Sequence, residues 1–251
     1  MTKKIWITGA SSGIGRALAI KFSNEGWQVA ASARRESLLN DLNKSNPNIH
    51  AFALDVKDEK SVRNVFQNIL QKFETLDICV FATGIHDPEA EKKLSLEKIR
   101  EIMETNFFGT LNCIMAVNSF FREKKDGHIA IVSSVAGYRG LPAASGYCAS
   151  KAALTSLAES LYFDFKRKNV KVSLISPGFI KTPMTDQNTF PMPMIKSAEF
   201  AAEKMFIGLT KKNAFEIHFP IAFTIIMKLL KIMPNWLYFL LVKKGMKTIK
   251  Y

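Results

Sequence analysis

The sequence predicts an α/β fold in which a doubly wound parallel sheet of about seven strands is covered by helices on both faces. Short apolar runs alternate with helix-length segments through residues 1–220, as expected for strands joined by crossover helices. The runs are apolar throughout, as in Ile-Ala-Ile-Val at 129–132, which indicates strands buried on both sides. Because residues 1–220 contain no linker, repeat or low-complexity tract, we expect one domain that buries roughly three-quarters of its surface.

The elements follow from these runs in order. Strands are predicted near 4–8, 27–33, 49–54, 76–82, 128–133, 170–175 and 214–217, with helices between them. After the last strand, Pro234 divides residues 221–251 into two segments, 221–233 and 235–247. Each is predicted to form a helix of about 20 Å. Since a hydrocarbon core is about 30 Å thick, neither helix is expected to span a membrane.

The composition excludes several classes of protein. With 47% hydrophobic residues, 23% charged residues and a mean hydropathy of +0.02, the chain is not disordered, collagen-like or a pore-forming membrane bundle. The net charge is +13, and residues 221–251 hold six lysines and no acidic residue. A nucleic-acid partner is not expected, because the sequence has no reading module and no basic face with interleaved aromatic residues for stacking.

Three cysteines, Cys79, Cys113 and Cys148, form no C-x-x-C pair, so we expect a reducing compartment and no metal site. The first apolar run begins after only two lysines, which leaves no room for a signal-peptide core. The expected location is the cytoplasm.

A glycine-rich turn follows the first strand. The segment Thr8-Gly9-Ala10-Ser11-Ser12-Gly13-Ile14-Gly15 leads directly into a helical pattern. Without Cβ atoms at its glycines, the backbone could approach a pyrophosphate, whose charge the amides and dipole at the helix start would hold. A plain glycine-rich turn between strand and helix would have the same residues, so both interpretations stay open. The predicted cofactor contacts in this turn are Gly9, Ser11, Ser12, Gly13, Ile14 and Gly15.

The T-G-x-x-x-G-x-G spacing resembles the short-chain dehydrogenase/reductase family, over about residues 3–220. The resemblance implies a Rossmann-like fold and hydride transfer with a nicotinamide cofactor. An acid at the end of the second strand would hold the ribose of NAD, but this chain has Ala33 followed by Arg34 and Arg35. A guanidinium pairs well with phosphate, so the resemblance favours NADP. Alternatively, the arginines only begin the next helix on a solvated face.

The resemblance implies further cofactor contacts along the sheet edge. The family's Asn-Asn-Ala-Gly segment is replaced by Phe81-Ala82-Thr83-Gly84, which weakens that motif. The implied contacts outside the glycine turn are Asp55, Val56, Ala82, Gly84, Tyr147, Lys151, Pro177, Gly178, Ile180 and Thr182.

A candidate catalytic group is formed by Asn106, Ser134, Tyr147 and Lys151. The spacing of Tyr147 and Lys151 puts both on one helix face, although such a pair also arises by chance. By resemblance, Tyr147 transfers the proton, Ser134 donates to the substrate oxygen, and Asn106 supports a proton path. Lys151 would bind the nicotinamide ribose, and its positive charge, together with that of the oxidised nicotinamide ring, should lower the phenol pKa.

The predicted substrate pocket consists of Ser134, Tyr138, Leu141, Phe179 and Met184, with Phe190, Met192 and Met194 nearby. These side chains favour a lipophilic aldehyde or ketone, unless some of them only cover the core. The run His218-Phe219-Pro220 and the apolar, basic residues after it resemble, less specifically, retinol-dehydrogenase-like and bacterial aldehyde-reductase-like proteins.

The extension, residues 221–251, is predicted to make peripheral membrane contact, with Trp236, Tyr238 and Phe239 near the interface. A helical hairpin over the substrate pocket and a subunit contact are the alternatives, and we expect a homo-oligomer. Three functions remain open: an NADP-dependent reductase of lipophilic carbonyls, a reductase of acyl chains on a carrier, and a non-catalytic nucleotide sensor or membrane-docking protein.

Overall fold

The sheet has seven parallel strands. The computed structural model describes residues 2–188, 190–212 and 214–246. The strands are β1 (Lys4–Thr8), β2 (Gln28–Ala33), β3 (Ile49–Ala53), β4 (Ile78–Phe81), β5 (His128–Val132), β6 (Lys171–Pro177) and β7 (Glu216–Phe219). Their spatial order is β3-β2-β1-β4-β5-β6-β7. The predicted doubly wound sheet is confirmed, and the bounds of its strands differ from the predicted ones by at most two residues.

Ten α-helices are described. They are α1 (Gly13–Asn24), α2 (Glu36–Ser45), α3 (Glu59–Phe73), α4 (Pro88–Lys92), α5 (Leu96–Met103), α6 (Gly109–Lys124), α7 (Ser145–Lys166), α8 (Ala198–Ile207), α9 (Ile221–Ile232) and α10 (Asn235–Met246). A π-helical turn at Glu104–Phe108, which the sequence did not predict, joins α5 to α6.

The strands are buried on both faces because each face carries its own layer of helices. In β1, Ile5 and Ile7 pack on the side of α1, α2 and α8, whereas Trp6 packs on the side of α3, α6 and α7. All three side chains are fully buried. The two isoleucines each contribute about 1.5–3 kcal/mol by leaving water. Continuous apolar runs are therefore required in these strands.

Parallel pairing brings the carboxyl ends of all seven strands to one edge of the sheet. The chain order reverses between β1 and β4, which are direct neighbours. At such a reversal the loops diverge and leave a crevice, which is where ligands bind in open α/β sheets. The predicted glycine turn and the end of β4 both lie at this crevice.

The helices α9 and α10 follow β7, as the sequence predicted. Phe223 and Met227 of α9 are buried against Val135 and Tyr138. Lys247 and Lys250, part of the predicted basic extension, lie outside the described residues. In the part of the chain that is described, no helix is both long enough and apolar enough to cross a membrane.

Candidate active site

The glycine turn at the end of β1 forms a cradle that leaves no room for side chains. Gly9 has a φ of +70°, and a Cβ there would lie 2.8 Å from the carbonyl oxygen of Ala82. A Cβ on Gly15 would lie 2.3 Å from the carbonyl oxygen of Gly9. Gly13 has a φ of +55°, which an L side chain rarely adopts. The turn thus presents bare backbone at the start of α1, which fits a bound pyrophosphate.

A cleft of about 410 Å³ extends from this cradle along the sheet edge. It brings together thirteen of the predicted cofactor contacts: Gly9, Ser11, Ser12, Gly13, Ile14, Gly15, Arg34, Arg35, Asp55, Val56, Ala82, Gly84 and Thr182. Unpredicted lining comes from residues such as Leu54, Ile85, His86, Thr105 and Gln187.

Five predicted cofactor contacts do not line the cleft: Tyr147, Lys151, Pro177, Gly178 and Ile180. Ile180 is buried in the core, and its carbonyl oxygen accepts a hydrogen bond of 2.7 Å from the hydroxyl of Thr185. The carbonyl oxygen of Pro177 accepts a hydrogen bond of 3.4 Å from Ser134. Gly178 lines the neighbouring substrate cavity instead. Pro177, Gly178 and Ile180 hold the loop after β6 in place, and no side chain of theirs lines the cleft.

Arg34 and Arg35 border the cleft where the family's acid would stand. The guanidinium of Arg35 donates to the hydroxyl oxygens of Ser11 and Ser12, each at 2.9 Å. Arg34 is exposed, and Ala33 supplies no carboxylate that would repel an added phosphate. Two positive charges therefore border the cleft beside the glycine cradle, where they would attract an anionic group.

Ser134, Tyr147 and Lys151 come together from the loop after β5 and the first turns of α7. The amide of Ala136 donates to the Oγ of Ser134 at 3.1 Å. The Nζ of Lys151 donates to the carbonyl oxygen of Val132 at 3.0 Å and lies 5.7 Å from the centre of the Tyr147 ring. Lys151 is almost fully buried, which fixes its ammonium beneath the loop after β4.

The pKa values of this group follow from burial. Desolvation raises the pKa of Tyr147 to about 12, and a hydrogen bond with Ser134 opposes this rise. Desolvation also lowers the pKa of Lys151 to about 8. Desolvation of the phenol has the largest effect on its pKa, and it opposes the lowering expected from Lys151 and the oxidised nicotinamide together. At neutral pH, Tyr147 is protonated and able to donate.

Asn106 lies in the π-helical turn and is fully buried. Its Oδ1 accepts from the amide of Ile85 at 2.7 Å, and its Nδ2 donates to the Oγ of Ser150 at 3.0 Å. A Cβ placed on Gly84 would lie 3.5 Å from this Oδ1 and 3.4 Å from the Nζ of Lys151. Asn106 therefore joins the loop after β4 to α7 beside the Lys151 ammonium.

The lost asparagine motif after β4 is partly compensated by β1. The Thr8 hydroxyl accepts a hydrogen bond of 3.1 Å from the amide of Ala82. This bond holds the start of the loop that carries Thr83 and Gly84 against the neighbouring strand. The departure from the family pattern thus leaves the loop anchored.

A second cavity of about 310 Å³ adjoins Ser134 and Tyr147. Its lining is mainly apolar: Val135, Ala136, Leu141, Pro142, Ala143, Ala144, Phe179, Met184, Phe190, Phe223 and Val242, together with polar or small residues such as His86, Gly178, Thr185 and Asn188. The predicted pocket residues Ser134, Leu141, Phe179 and Met184 are among its walls.

Tyr138 does not line this cavity. Its ring packs behind the wall with Phe223 and Met227, and its hydroxyl donates to Glu216. Met192 and Met194, noted beside the predicted pocket, are also outside the lining, and Met194 is exposed. Apolar composition alone did not separate the wall from the layer behind it.

Sequence reasoning missed His86 and Glu91. The centres of the His86 and Tyr147 rings are 4.5 Å apart, and His86 borders both cavities. The Nε2 of His86 lies 3.3 Å from the Oε1 of Glu91, whose side chain is fully buried. The Oε2 of Glu91 accepts the amide of Tyr147 at 3.0 Å. Burial lowers the pKa of His86 and raises that of Glu91. Neither residue belongs to a motif, so no sequence signal marks them.

Phe223 and Val242 were also missed as cavity residues. They belong to α9 and α10, so the extension forms part of the cavity wall. A Cβ on Gly178 would lie 2.7 Å from the ring of Phe223, which shows how closely α9 packs on the loop after β6. This position agrees with the alternative of a helical hairpin over the substrate pocket, although the sequence did not mark Phe223 and Val242 as wall residues.

Comparison with known proteins identifies relatives over most of the chain. The family model described as short chain dehydrogenase matches residues 3–191. An uncharacterized oxidoreductase of Myxococcus xanthus is 34% identical over 236 residues, which are 92% of this chain and 93% of that protein. The 3-oxoacyl-(acyl-carrier-protein) reductase FabG of Staphylococcus aureus is 29% identical over 74% of this chain and 78% of its own. The solved structure of ElxO with NADP bound has a TM-score of 0.78 and 26% identity, covering 87% of this chain and 98% of that one.

Proposed function

Because the chain belongs to the short-chain dehydrogenase family of oxidoreductases, we propose that it uses NADP(H) and reduces lipophilic aldehydes or ketones. The observation that carries the proposal is the position of Ser134 and Tyr147. They stand at an apolar cavity, with Lys151 behind them towards the glycine-turn cleft. A carbonyl group in that cavity would meet both hydroxyl groups next to the cofactor cleft.

The cleft residues favour NADP(H) over NAD(H). The glycine cradle would hold the pyrophosphate, and Arg34 and Arg35 would pair with the 2′-phosphate. The related ElxO structure has NADP bound, which supports this choice. When bound, the cofactor supplies the hydride, and the protein's part is to orient the carbonyl and manage its proton.

The proton comes from Tyr147. Since its pKa of about 12 keeps the phenol protonated at neutral pH, it donates to the carbonyl oxygen as negative charge develops there. The Ser134 hydroxyl donates a second hydrogen bond to that oxygen. The ammonium of Lys151, close to Asn106, lies beneath Gly84 and favours the phenolate that is left.

The apolar cavity selects the substrate. The cavity wall can exclude water from a hydrocarbon chain but offers few polar partners to a sugar or phosphate. It includes Leu141, Phe179, Phe190 and Phe223. Each buried methylene contributes about 0.8 kcal/mol, which is about fourfold in kcat/KM, until the cavity is full.

A second candidate is reduction of acyl chains presented on a carrier. The similarity to the FabG reductase of Staphylococcus aureus favours it, as does the net charge of +13, which would attract an acidic carrier protein. Both candidates use the same proton donor and differ in how the acyl chain reaches the cavity.

The test is a fluorescence titration with NADPH and with NADH, followed by oxidation of bound NADPH with unbranched aldehydes and ketones of increasing length and with a 3-oxoacyl chain on its carrier. We expect tighter NADPH binding and a kcat/KM that rises with chain length. Tyr147→Phe is the control, since it should bind NADPH and not turn over. Preference for NADH would contradict the cofactor assignment, turnover of the carrier substrate alone would favour the second candidate, and binding without any turnover would favour a nucleotide sensor.

A further inference from the structure

The two helices after β7 present a broad apolar surface that the rest of the described chain leaves uncovered. We define this outer face by nine exposed side chains: Ile221, Ile225, Ile226, Leu229, Ile232, Trp236, Phe239, Leu240 and Leu241. Their relative exposures run from 41% to 79%. Exposed apolar patches of this kind mark sites of association with a protein or a membrane.

The pattern along α9 separates an inner side from the outer face. Phe223 and Met227 are buried against the domain, while Ile221, Ile225 and Leu229 repeat every four residues on the opposite side. A helix that is apolar on both sides is normally buried on both sides. Here the described residues cover only one side, and the other side is left exposed.

Arg139 holds this pair of helices in a fixed orientation. Its guanidinium donates to the carbonyl oxygens of Leu230 at 2.5 Å and Met233 at 2.6 Å, where α9 ends. It also stacks 4.0 Å from the centre of the Tyr238 ring. The Tyr238 hydroxyl in turn donates to the carbonyl oxygen of Gly140. The outer face is therefore presented on a clamped hairpin.

The charge around the outer face identifies the partner. Residues 221–251 contain six lysines and no acidic residue. Lys228 pairs with Glu216, whereas Lys231, Lys243 and Lys244 are exposed. A symmetric contact between two copies through this face would bring these lysines together without an acid of the segment to neutralise them. An anionic surface satisfies both the lysines and the apolar side chains.

We propose that α9 and α10 lie on the surface of an anionic lipid bilayer, with the outer face in the acyl boundary and the lysines at the headgroups. Interfacial helices combine apolar side chains, tryptophan and lysine in this way. No helix among the described residues can span the membrane, so the contact is peripheral. Phe223 and Val242 line the substrate cavity from the same two helices, which places the bilayer beside it. Entry of a lipophilic substrate from the bilayer rests on the proposed function, whereas the membrane contact does not.

Trp236 gives a direct measurement. It is 71% exposed, whereas Trp6 and Trp27 are buried, so a change in its surroundings dominates any change in emission. With vesicles of equal parts phosphatidylcholine and phosphatidylglycerol, we expect a blue shift and quenching by lipids brominated in the acyl chain. At about 1 kcal/mol per lysine near the surface, three exposed lysines give binding about a hundredfold tighter than to phosphatidylcholine alone, and salt should weaken it. Trp236→Phe should remove the spectral change while vesicles still co-sediment the protein.

Leu229→Glu tests the face, with Leu96→Glu on α5 as the matched control, since Leu96 is 62% exposed. Leu229→Glu should abolish co-sedimentation and leave NADPH binding unchanged, while Leu96→Glu should change neither. Equal binding to neutral and anionic vesicles, or no binding to either, would overturn the proposal. The proposal would also be overturned if sedimentation equilibrium showed a dimer that Leu229→Glu dissociates and if vesicles left the emission of Trp236 unchanged. Because these readouts need no turnover, an inactive protein that binds vesicles would count against the proposed function alone.

Discussion

At the scale of single residues, Tyr147 is held by a carboxylate that no motif marks. Glu91 accepts the amide of Tyr147 at the start of α7, where the positive end of the helix dipole favours an acceptor with negative charge. Its other oxygen faces His86, whose ring lies against that of Tyr147. One buried carboxylate thus holds the backbone of Tyr147 and lies beside the ring that packs against the phenol.

Glu91→Gln should shift the pH dependence of the reaction. The charge of Glu91 raises the Tyr147 pKa, so its removal lowers that pKa. In alcohol oxidation the phenolate is the base, and the rate rises with pH through the phenol pKa. We expect the rising limb of kcat/KM to move to lower pH in the variant. Glu89→Gln, on the same short helix but exposed, is the control. Superimposable profiles for all three proteins would contradict an influence of Glu91 on Tyr147.

Arg34 and Arg35 should set cofactor preference separately from catalysis. Hydrogen bonds to a charged group contribute about 1.5–3 kcal/mol, so Arg35→Ala should weaken NADPH binding by about 10-fold to 100-fold and leave NADH binding nearly unchanged. Arg34→Ala should act in the same direction. Arg63→Ala, which removes an exposed arginine on α3, controls for loss of charge. Isothermal titration with both cofactors measures the effect, and equal loss for NADPH and NADH would refute it.

At the scale of elements, the strands were predictable and the π-helical turn was not. Strands such as β5 need apolar residues on both faces, which the sequence displays directly. The turn at Glu104–Phe108 depends on contacts between segments distant in the chain. Asn106 bonds to Ile85 and Ser150, and Gly109 packs against Val56. The periodicity of a single sequence carries no information on such contacts. Asn106 was therefore predicted from the family resemblance, and the π-helical turn around it was not predicted.

Gly109→Ala should disturb this turn. A Cβ at Gly109 would lie 2.5 Å from Cγ2 of Val56, so the added methyl forces α6 or the loop after β3 to shift. Overpacking of this kind costs about 1–3 kcal/mol, and the displacement should also reduce turnover through Asn106. Gly140→Ala is the matched control, because nothing lies within 4 Å of its added Cβ. Chemical denaturation with activity assays compares the two, and equal stability would show that the turn adapts without cost.

At the scale of the whole molecule, the site divides between a part that the sequence marks and a part that it does not. The glycine turn and Ser134 lie at strand ends, and Tyr147 and Lys151 lie in the first turns of α7, so their spacing predicts where they meet. The substrate cavity is closed by Phe223 and Val242, which follow the sheet in the chain. The docking of α9 and α10 depends on Arg139 and on packing against Tyr138, neither of which a periodic pattern reveals.

This division predicts the effect of ending the chain after Pro220. The residues lining the cofactor cleft all lie before position 221, whereas the substrate cavity loses Phe223 and Val242. The shortened protein should therefore bind NADPH with nearly unchanged affinity. Its kcat/KM for long-chain aldehydes should fall towards that for short ones, because the opened cavity no longer removes the distal methylenes from water.

Circular dichroism and thermal unfolding check that the shortened chain folds, since α9 also covers Tyr138. As a second variant, Phe223→Ala in the full-length chain removes one part of the wall and keeps the hairpin. This substitution should also lower kcat/KM by a factor that grows with the length of the substrate. If kcat/KM fell by the same factor for substrates of every length in both variants, the extension would support the catalytic residues and would not form the substrate wall. If kcat/KM kept its dependence on substrate length in full, α9 and α10 would have no part in substrate selection.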